Sequence, residues 1–120
     1  ALRSVHFSIG SGTRLAMEDA VALYQAFNEA GAASATWADV PGALARFEAA
    51  RRPIVEKLQA AAAKSSGWYE KLAGKMGLEA YQLAYDYMTR SGRVTHARLK
   101  EMAPRFTASF ETRFGVPEHA

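Results

Sequence analysis

Gly10-Ser11-Gly12-Thr13-Arg14 is the stretch of this chain whose residue types and spacing suit it to receive a ligand. Two glycines bracket Ser11, so the backbone can take angles that side chains disfavour and can come close to a bound group. After Thr13 no glycine or proline appears until Gly31, so the loop runs directly into a helix. The first turn of a helix carries N–H groups without partners inside the helix, at the positive end of its dipole. A start of this kind favours an electron-rich group. A Gly-x-Gly before a helix is also a plain structural turn. It is not a dinucleotide fingerprint, because Leu15 stands where the third glycine belongs and no strand pattern precedes it. It is not a phosphate loop, because no Gly-Lys-Ser/Thr follows.

Other reactive side chains are sparse. His6, just ahead of the loop, is the one candidate catalytic residue; it either faces a bound substrate or cofactor or is a hydrogen-bonded structural histidine. His96 and His119 read as solvated. No His/Asp/Glu group has metal-ligand spacing, and cysteine is absent, so no metal site is expected. Disulfides are excluded, and a reducing, cytoplasmic setting fits. Ser8, Ser11 and Thr13 have no base at hand, which argues against a hydrolase. Glu18 and Asp19 read as partners of the helix dipole, not as a catalytic pair. Arg51-Arg52 and Arg90, Arg93, Arg98 and Lys100 read as solvated faces. The alternative for Arg90 and Arg93 is contact with the phosphates of a CoA substrate.

The elements that must position these groups are helical. The chain has 120 residues, enough for one modest core, and a net charge of +3 that requires no nucleic-acid partner. Hydrophobic residues make up 49%, but alanine inflates the figure, so thin helix–helix packing is expected. Residues 1–13 read as loop. Thr13 is the expected N-cap of a helix from Arg14 to about Ala30, with Ala16, Ala20, Leu23, Tyr24 and Phe27 on its apolar face and Gly31 just beyond its end. A small-residue linker over 31–40 follows, anchored by Trp37. Asp39 and Pro41 mark the next start, and Ala43, Leu44, Phe47, Ala50, Ile54, Leu58 and Ala61 form a second stripe. Pro53 predicts a kink or a new helix there. That pattern reaches about Ala73, with Trp68, Tyr69 and Leu72 burying its far end and Gly74 and Gly77 flanking a break. A helix over Leu78–Thr89 follows, with Leu78, Tyr81, Tyr85 and Met88 in register, stopped by Ser91-Gly92. A short helix near Thr95–Met102 is capped by Thr95. The last begins at Pro104, carries Phe106, Phe110 and Phe114, and ends at Gly115 and Pro117. No stretch alternates with period two, so the fold class expected for the 120 residues is all-α. No run of apolar residues is long enough to span a membrane.

Extended on both sides, the loop reads His6-Phe7-Ser8-Ile9-Gly10-Ser11-Gly12-Thr13-Arg14-Leu15-Ala16-Met17-Glu18-Asp19-Ala20-Val21-Ala22-Leu23. This resembles the second flavin-binding motif of the FAD-dependent aromatic hydroxylases, in which Gly-x-Gly leads to Asp-Ala-x-x-Leu. Gly10, Gly12, Ala16, Asp19, Ala20 and Leu23 fit that frame. The wording is similar to two branches: hydroxylases of CoA-linked aromatic acids (salicyloyl-CoA and anthraniloyl-CoA) and the tryptophan-derivative hydroxylases of violacein biosynthesis. Phe47-Glu48 with Arg51-Arg52-Pro53 is similar to the family's Tyr/Phe-Glu-x-x-Arg-Arg-Pro helix. Ser65-Ser66-Gly67-Trp68-Tyr69 and Thr89-Arg90-Ser91-Gly92-Arg93-Val94-Thr95-His96 resemble the C-terminal helices of the CoA-thioester branch.

The resemblance implies FAD as cofactor and NAD(P)H as electron donor, with hydroxylation of an electron-rich ring through a flavin hydroperoxide. Gly10, Ser11, Gly12, Thr13 and Arg14 would bind the pyrimidine edge of the flavin, where the reduced form is anionic. Phe7, Arg90 and Arg93 would be substrate contacts. The chain departs from the family at Arg14, where Asn is usual, and at Phe7, where Pro is usual. Arg14 either adds a positive charge beside the flavin or points to solvent. Residues 1–31 would then be the flavin-binding loop and helix of an incomplete FAD domain, and 36–120 a C-terminal helical region. The expected whole is a longer enzyme, with the remainder of its own chain as partner and an aromatic small molecule as substrate, a CoA thioester being favoured over an indole. The 120 residues alone would be inactive. The competing reading is a non-catalytic basic helical module that binds a protein or nucleic acid. Arg and Lys are interleaved with Asp and Glu, which counts against it.

Overall fold

A computed structural model describes residues 6–29 and 40–117. Trp37, Gly31, Asp39 and His119 lie outside the described residues, so the linker anchor, the end of the first helix and the third histidine are not addressed. Among the described residues the regular structure is helical throughout, in agreement with the all-α expectation. The helices are α1 (Gly12–Glu29), α2 (Val40–Glu70), α3 (Ala80–Thr89), α4 (His96–Met102) and α5 (Pro104–Phe114). Short 3-10 turns occupy Phe7–Ile9 and Leu72–Lys75. The chain forms two compact units, Ala1–Ala60 and Ala61–Ala120. No described helix is long and apolar enough to cross a membrane.

In the first unit the buried side of α1 is Leu15, Asp19 and Ala26. The expected apolar face lies elsewhere: Leu23, Tyr24 and Phe27 are exposed, as are Ala16 and Ala20. On α2 the buried positions begin Ala43, Arg51 and Val55, while Leu44 and Ile54 of the expected stripe face outward. The reason is the same on both helices. A buried acid on one and a buried base on the other satisfy each other, so the inward faces contain charges that a purely hydrophobic pattern passes over. Pro53 neither ends α2 nor starts a new helix, because α2 is continuous from Val40 to Glu70. Proline removes the hydrogen bond to the carbonyl four residues back, and Pro53 itself is exposed.

The second unit follows the sequence pattern at most of its boundaries, but Tyr69, expected to help bury the far end of α2, is exposed. Trp68 is buried at the end of α2, and its indole N–H donates to Asp86 Oδ2 at 2.9 Å. The helix gives way to the 3-10 turn at 72–75, and Gly74 and Gly77 are not in the left-handed region. The third helix begins two residues later than expected, because Glu79 caps it. Glu79 accepts from Tyr81 N–H, and Gln82 accepts from Glu79 N–H, a reciprocal box. Gly92, with φ of 69°, turns the chain after α3. Thr95 caps α4 by accepting from Arg98 N–H at 3.2 Å. Pro104 is the first residue of α5. Phe110 is buried and stacks on Tyr85 at 4.1 Å, Phe106 stacks on Tyr81 at 5.5 Å, and Phe114 lies at the exposed end. Gly115, with φ of 79°, closes the helix.

Candidate functional site

The loop ahead of α1 is built from short-range contacts. Phe7–Ile9 form a single 3-10 turn whose first residue is preceded by His6, and His6 Nδ1 accepts from Ser8 N–H at 3.2 Å. The imidazole stacks on the Phe7 ring at 4.4 Å. His6 is thus an exposed cap of the turn. Gly10 closes the turn in the left-handed region, φ 62° and ψ 22°, donating its N–H to Phe7 C=O at 2.9 Å. That conformation is cheap only for glycine. Ser11 Oγ donates to Ile9 C=O at 3.2 Å and ties the loop to itself.

Gly12 needs no unusual angle, since it is already the first residue of α1. The helix therefore starts one residue ahead of the expected cap, and Thr13 lies in its first turn. The first bond of the ladder runs from Leu15 N–H to Ser11 C=O at 3.0 Å. The amides of Gly12, Thr13 and Arg14 precede that ladder, at the positive end of an 18-residue helix. A Cβ placed on Gly10 or on Gly12 would meet no atom within 4 Å, so the backbone of this corner lies open to a close approach. Phe7 projects beside it, 86% exposed. Gly10, Ser11, Gly12, Thr13, Arg14, Phe7 and His6 thus lie together on one corner. Its open glycines, the ladder-free amides and the absence of any acidic residue in the first turn suit an electron-rich group.

Behind this corner stands an ion cluster that sequence reasoning missed. Arg51 of α2 is buried and donates from Nε to Asp19 Oδ1 at 2.7 Å and from Nη2 to Glu18 Oε2 at 3.1 Å. Glu18 Oε1 pairs in turn with Arg14 Nε at 3.1 Å. Glu18 and Asp19 are therefore partners of arginines before they are partners of the helix dipole, and Arg51 is not part of a solvated face. The two carboxylates raise the Arg51 pKa further, against the effect of its burial. Arg14 is held at the surface, its side chain 69% exposed. Arg52 does lie in solvent, between Glu48 and Glu56. The signal for Arg51 was available: it falls four residues from both Phe47 and Val55, in register with Ala43.

In the second unit Arg90 is half-buried and serves the fold. Its Nε donates to the fully buried Ser65 Oγ at 3.1 Å, its Nη1 donates to Tyr87 C=O at 2.7 Å, and its guanidinium lies 4.0 Å from the Tyr87 ring centre. Arg93 is exposed. His96 is buried, not solvated, and lies between Tyr85 and Glu111. Arg98 and Lys100 are exposed, paired with Glu101 and Glu111. Arg14, Arg51, Arg52, Lys75, Arg98, Lys100 and Arg113 all contact carboxylates, an arrangement unlike a continuous basic surface. Among the described residues no group of three or more His, Cys, Asp or Glu is placed to hold a metal ion.

Three known proteins are similar to this chain. It is 42% identical over 93 residues, 76% of its length, to a salicyloyl-CoA 5-hydroxylase from a Streptomyces species. It is 40% identical over 79% of its length to a 3-hydroxy-4-methyl-anthranilyl-[aryl-carrier protein] 5-monooxygenase from Streptosporangium sibiricum. It is 34% identical over 75% of its length to the protodeoxyviolaceinate monooxygenase of Chromobacterium violaceum. The chain spans 17%, 24% and 22% of the lengths of these relatives. No family model and no solved structure matches it.

Proposed function

We infer that this chain is a C-terminal segment of an FAD- and NAD(P)H-dependent monooxygenase that hydroxylates an aromatic substrate presented as a thioester. The observation that carries the reading is its likeness, over three quarters of its length, to three enzymes that are each monooxygenases or hydroxylases by name. Two of those names specify an aromatic acid linked to CoA or to a carrier protein, which favours a thioester over an indole substrate. The geometry of the Gly10–Arg14 corner supports a flavin as the group received there.

FAD, when bound, supplies the oxygen chemistry, with its electrons drawn from NAD(P)H. The residues of this chain supply binding and charge. The left-handed Gly10 and the open Gly12 let the backbone approach the pyrimidine edge. The amides of Gly12, Thr13 and Arg14 would donate to that edge and would favour negative charge there. A helix start contributes about 0.3–1 kcal/mol to an exposed anion and about 2 kcal/mol to a partly buried one. The remainder of the same chain provides the other walls of the cofactor site and covers Met17, Val21 and Tyr24 on the outer side of α1. On the second unit, exposed Arg93 and anchored Arg90 are candidates to meet the phosphates of a CoA-linked substrate.

An absorbance spectrum of the purified full-length protein tests the reading, followed by NAD(P)H oxidation in the presence of aromatic CoA thioesters. Flavin bands, with oxidation stimulated by a thioester more than by the free acid, are the expected result. A colourless protein, or one stimulated by none of these compounds, overturns it.

A further inference from the structure

We propose that Arg51 is a positioning residue that holds up the reduction potential of the flavin by keeping Glu18 and Asp19 from cancelling the positive field at the start of α1. The inference rests on the function proposed above and concerns residues to which that function gives no role.

Glu18 and Asp19 lie six and seven residues along α1 from Gly12, about 9–10 Å at the rise of a helix. The N-terminal end of a helix is worth about half of one positive charge. Two uncompensated carboxylates at that distance, on the same helix, would outweigh it. Arg51 is brought from α2 to meet both, at 2.7 Å from Asp19 and 3.1 Å from Glu18. The second oxygen of Glu18 takes Arg14. Each carboxylate then faces an arginine, and the amides of the first turn keep their field. Solvent could not do this instead, because the side chains of Arg51 and Asp19 are only 8% and 12% exposed. Stability alone gives no reason for ions at this place, since apolar residues of similar volume commonly do as well as a buried pair. A charge-balancing role explains why the inward faces of both helices carry a charge.

The test is the midpoint potential of the flavin in the full-length protein, with the dissociation constant for FAD and the melting temperature measured alongside. Arg51→Gln removes one positive charge from the cluster, so reduced flavin should be held about tenfold less tightly relative to oxidised flavin, a fall of about 30 mV for the two-electron couple. Glu18→Gln, at a half-exposed position, removes one negative charge and should raise the potential. The Glu18→Gln/Arg51→Gln double variant restores the balance and should return the potential to the parent value, even where its melting temperature stays low. Potentials that do not move in the single variants, that move in the same direction, or that fail to return in the double variant overturn the proposal. If Arg51→Gln does not fold, the direction of the Glu18→Gln shift decides. A full-length parent protein without flavin overturns the proposed function and this inference with it, whereas a flavoprotein with unmoved potentials overturns this inference alone.

Discussion

His96 is gripped on both ring nitrogens, Nε2 lying 2.9 Å from Glu111 Oε1 and Nδ1 lying 3.0 Å from the Tyr85 hydroxyl. If Nε2 donates to the carboxylate, Nδ1 accepts the phenolic proton, and the three side chains lock α3, α4 and α5 to one another. Burial pushes the Tyr85 hydroxyl above its ordinary range, so it stays a neutral donor. Glu111 is held below the usual carboxylate range, first by the hydrogen bond from His96 and then by Lys100, 3.0 Å away. A carboxyl group whose folded pKa is depressed stabilises the fold at pH above its unfolded value, and that contribution fades as the pH falls through the folded value. Denaturant titrations at a series of pH values should therefore show stability declining on the acid side below the ordinary carboxylate range. Glu111→Gln, which keeps an acceptor for His96 but cannot titrate, should flatten that limb. An unchanged acid limb in the variant would show that Glu111 is not responsible.

Each helix begins and ends for a reason that can be tested alone. Thr95 accepts from Arg98 N–H and starts α4. Thr95→Ala should cost about 1 kcal/mol in chemical denaturation, and Thr95→Ser should recover most of it. Such boundaries were legible in the sequence because caps, prolines and left-handed glycines act locally: Thr95, Pro104, Gly92 and Gly115 all do what their types suggest. The turn at Gly10 was legible for the same reason, its glycine angle being a property of neighbours in the chain, whereas α1 begins at Gly12, two residues before the expected Arg14. The faces of α1 and α2 were not. Arg51 shares the register of Ala43 and Val55 but its charge reads as outward, and its partner Asp19, 32 positions away, is not visible from α2 alone. His96 was missed likewise, since its partners come from two other helices. At Pro53 the sequence left a continuing helix and a new one both open, and α2 continues, because one absent hydrogen bond is a small loss to a helix of 31 residues.

For the molecule as a whole, the outer side of α1 is informative. Met17, Val21 and Tyr24 recur at helical spacing and are 66%, 56% and 68% exposed. A ridge of this kind on a described surface is sticky in water. The 120-residue segment, prepared by itself, should self-associate as its concentration rises, and Val21→Glu should reduce that in sedimentation velocity runs. If, as proposed, the remainder of a longer chain covers the ridge, the same substitution in the full-length protein should lower the melting temperature instead. A soluble monomeric segment, equally unaffected by the change, would count against that arrangement. The union of Asp19 with Arg51 bears also on how such a gene can drift. A lineage that loses Arg51 first leaves the buried Asp19 without its arginine, and one that loses Asp19 first leaves the buried Arg51 to Glu18, so the two codons should be inherited as a unit and replaced together. Where related genes differ at one of these positions, they should differ at the other.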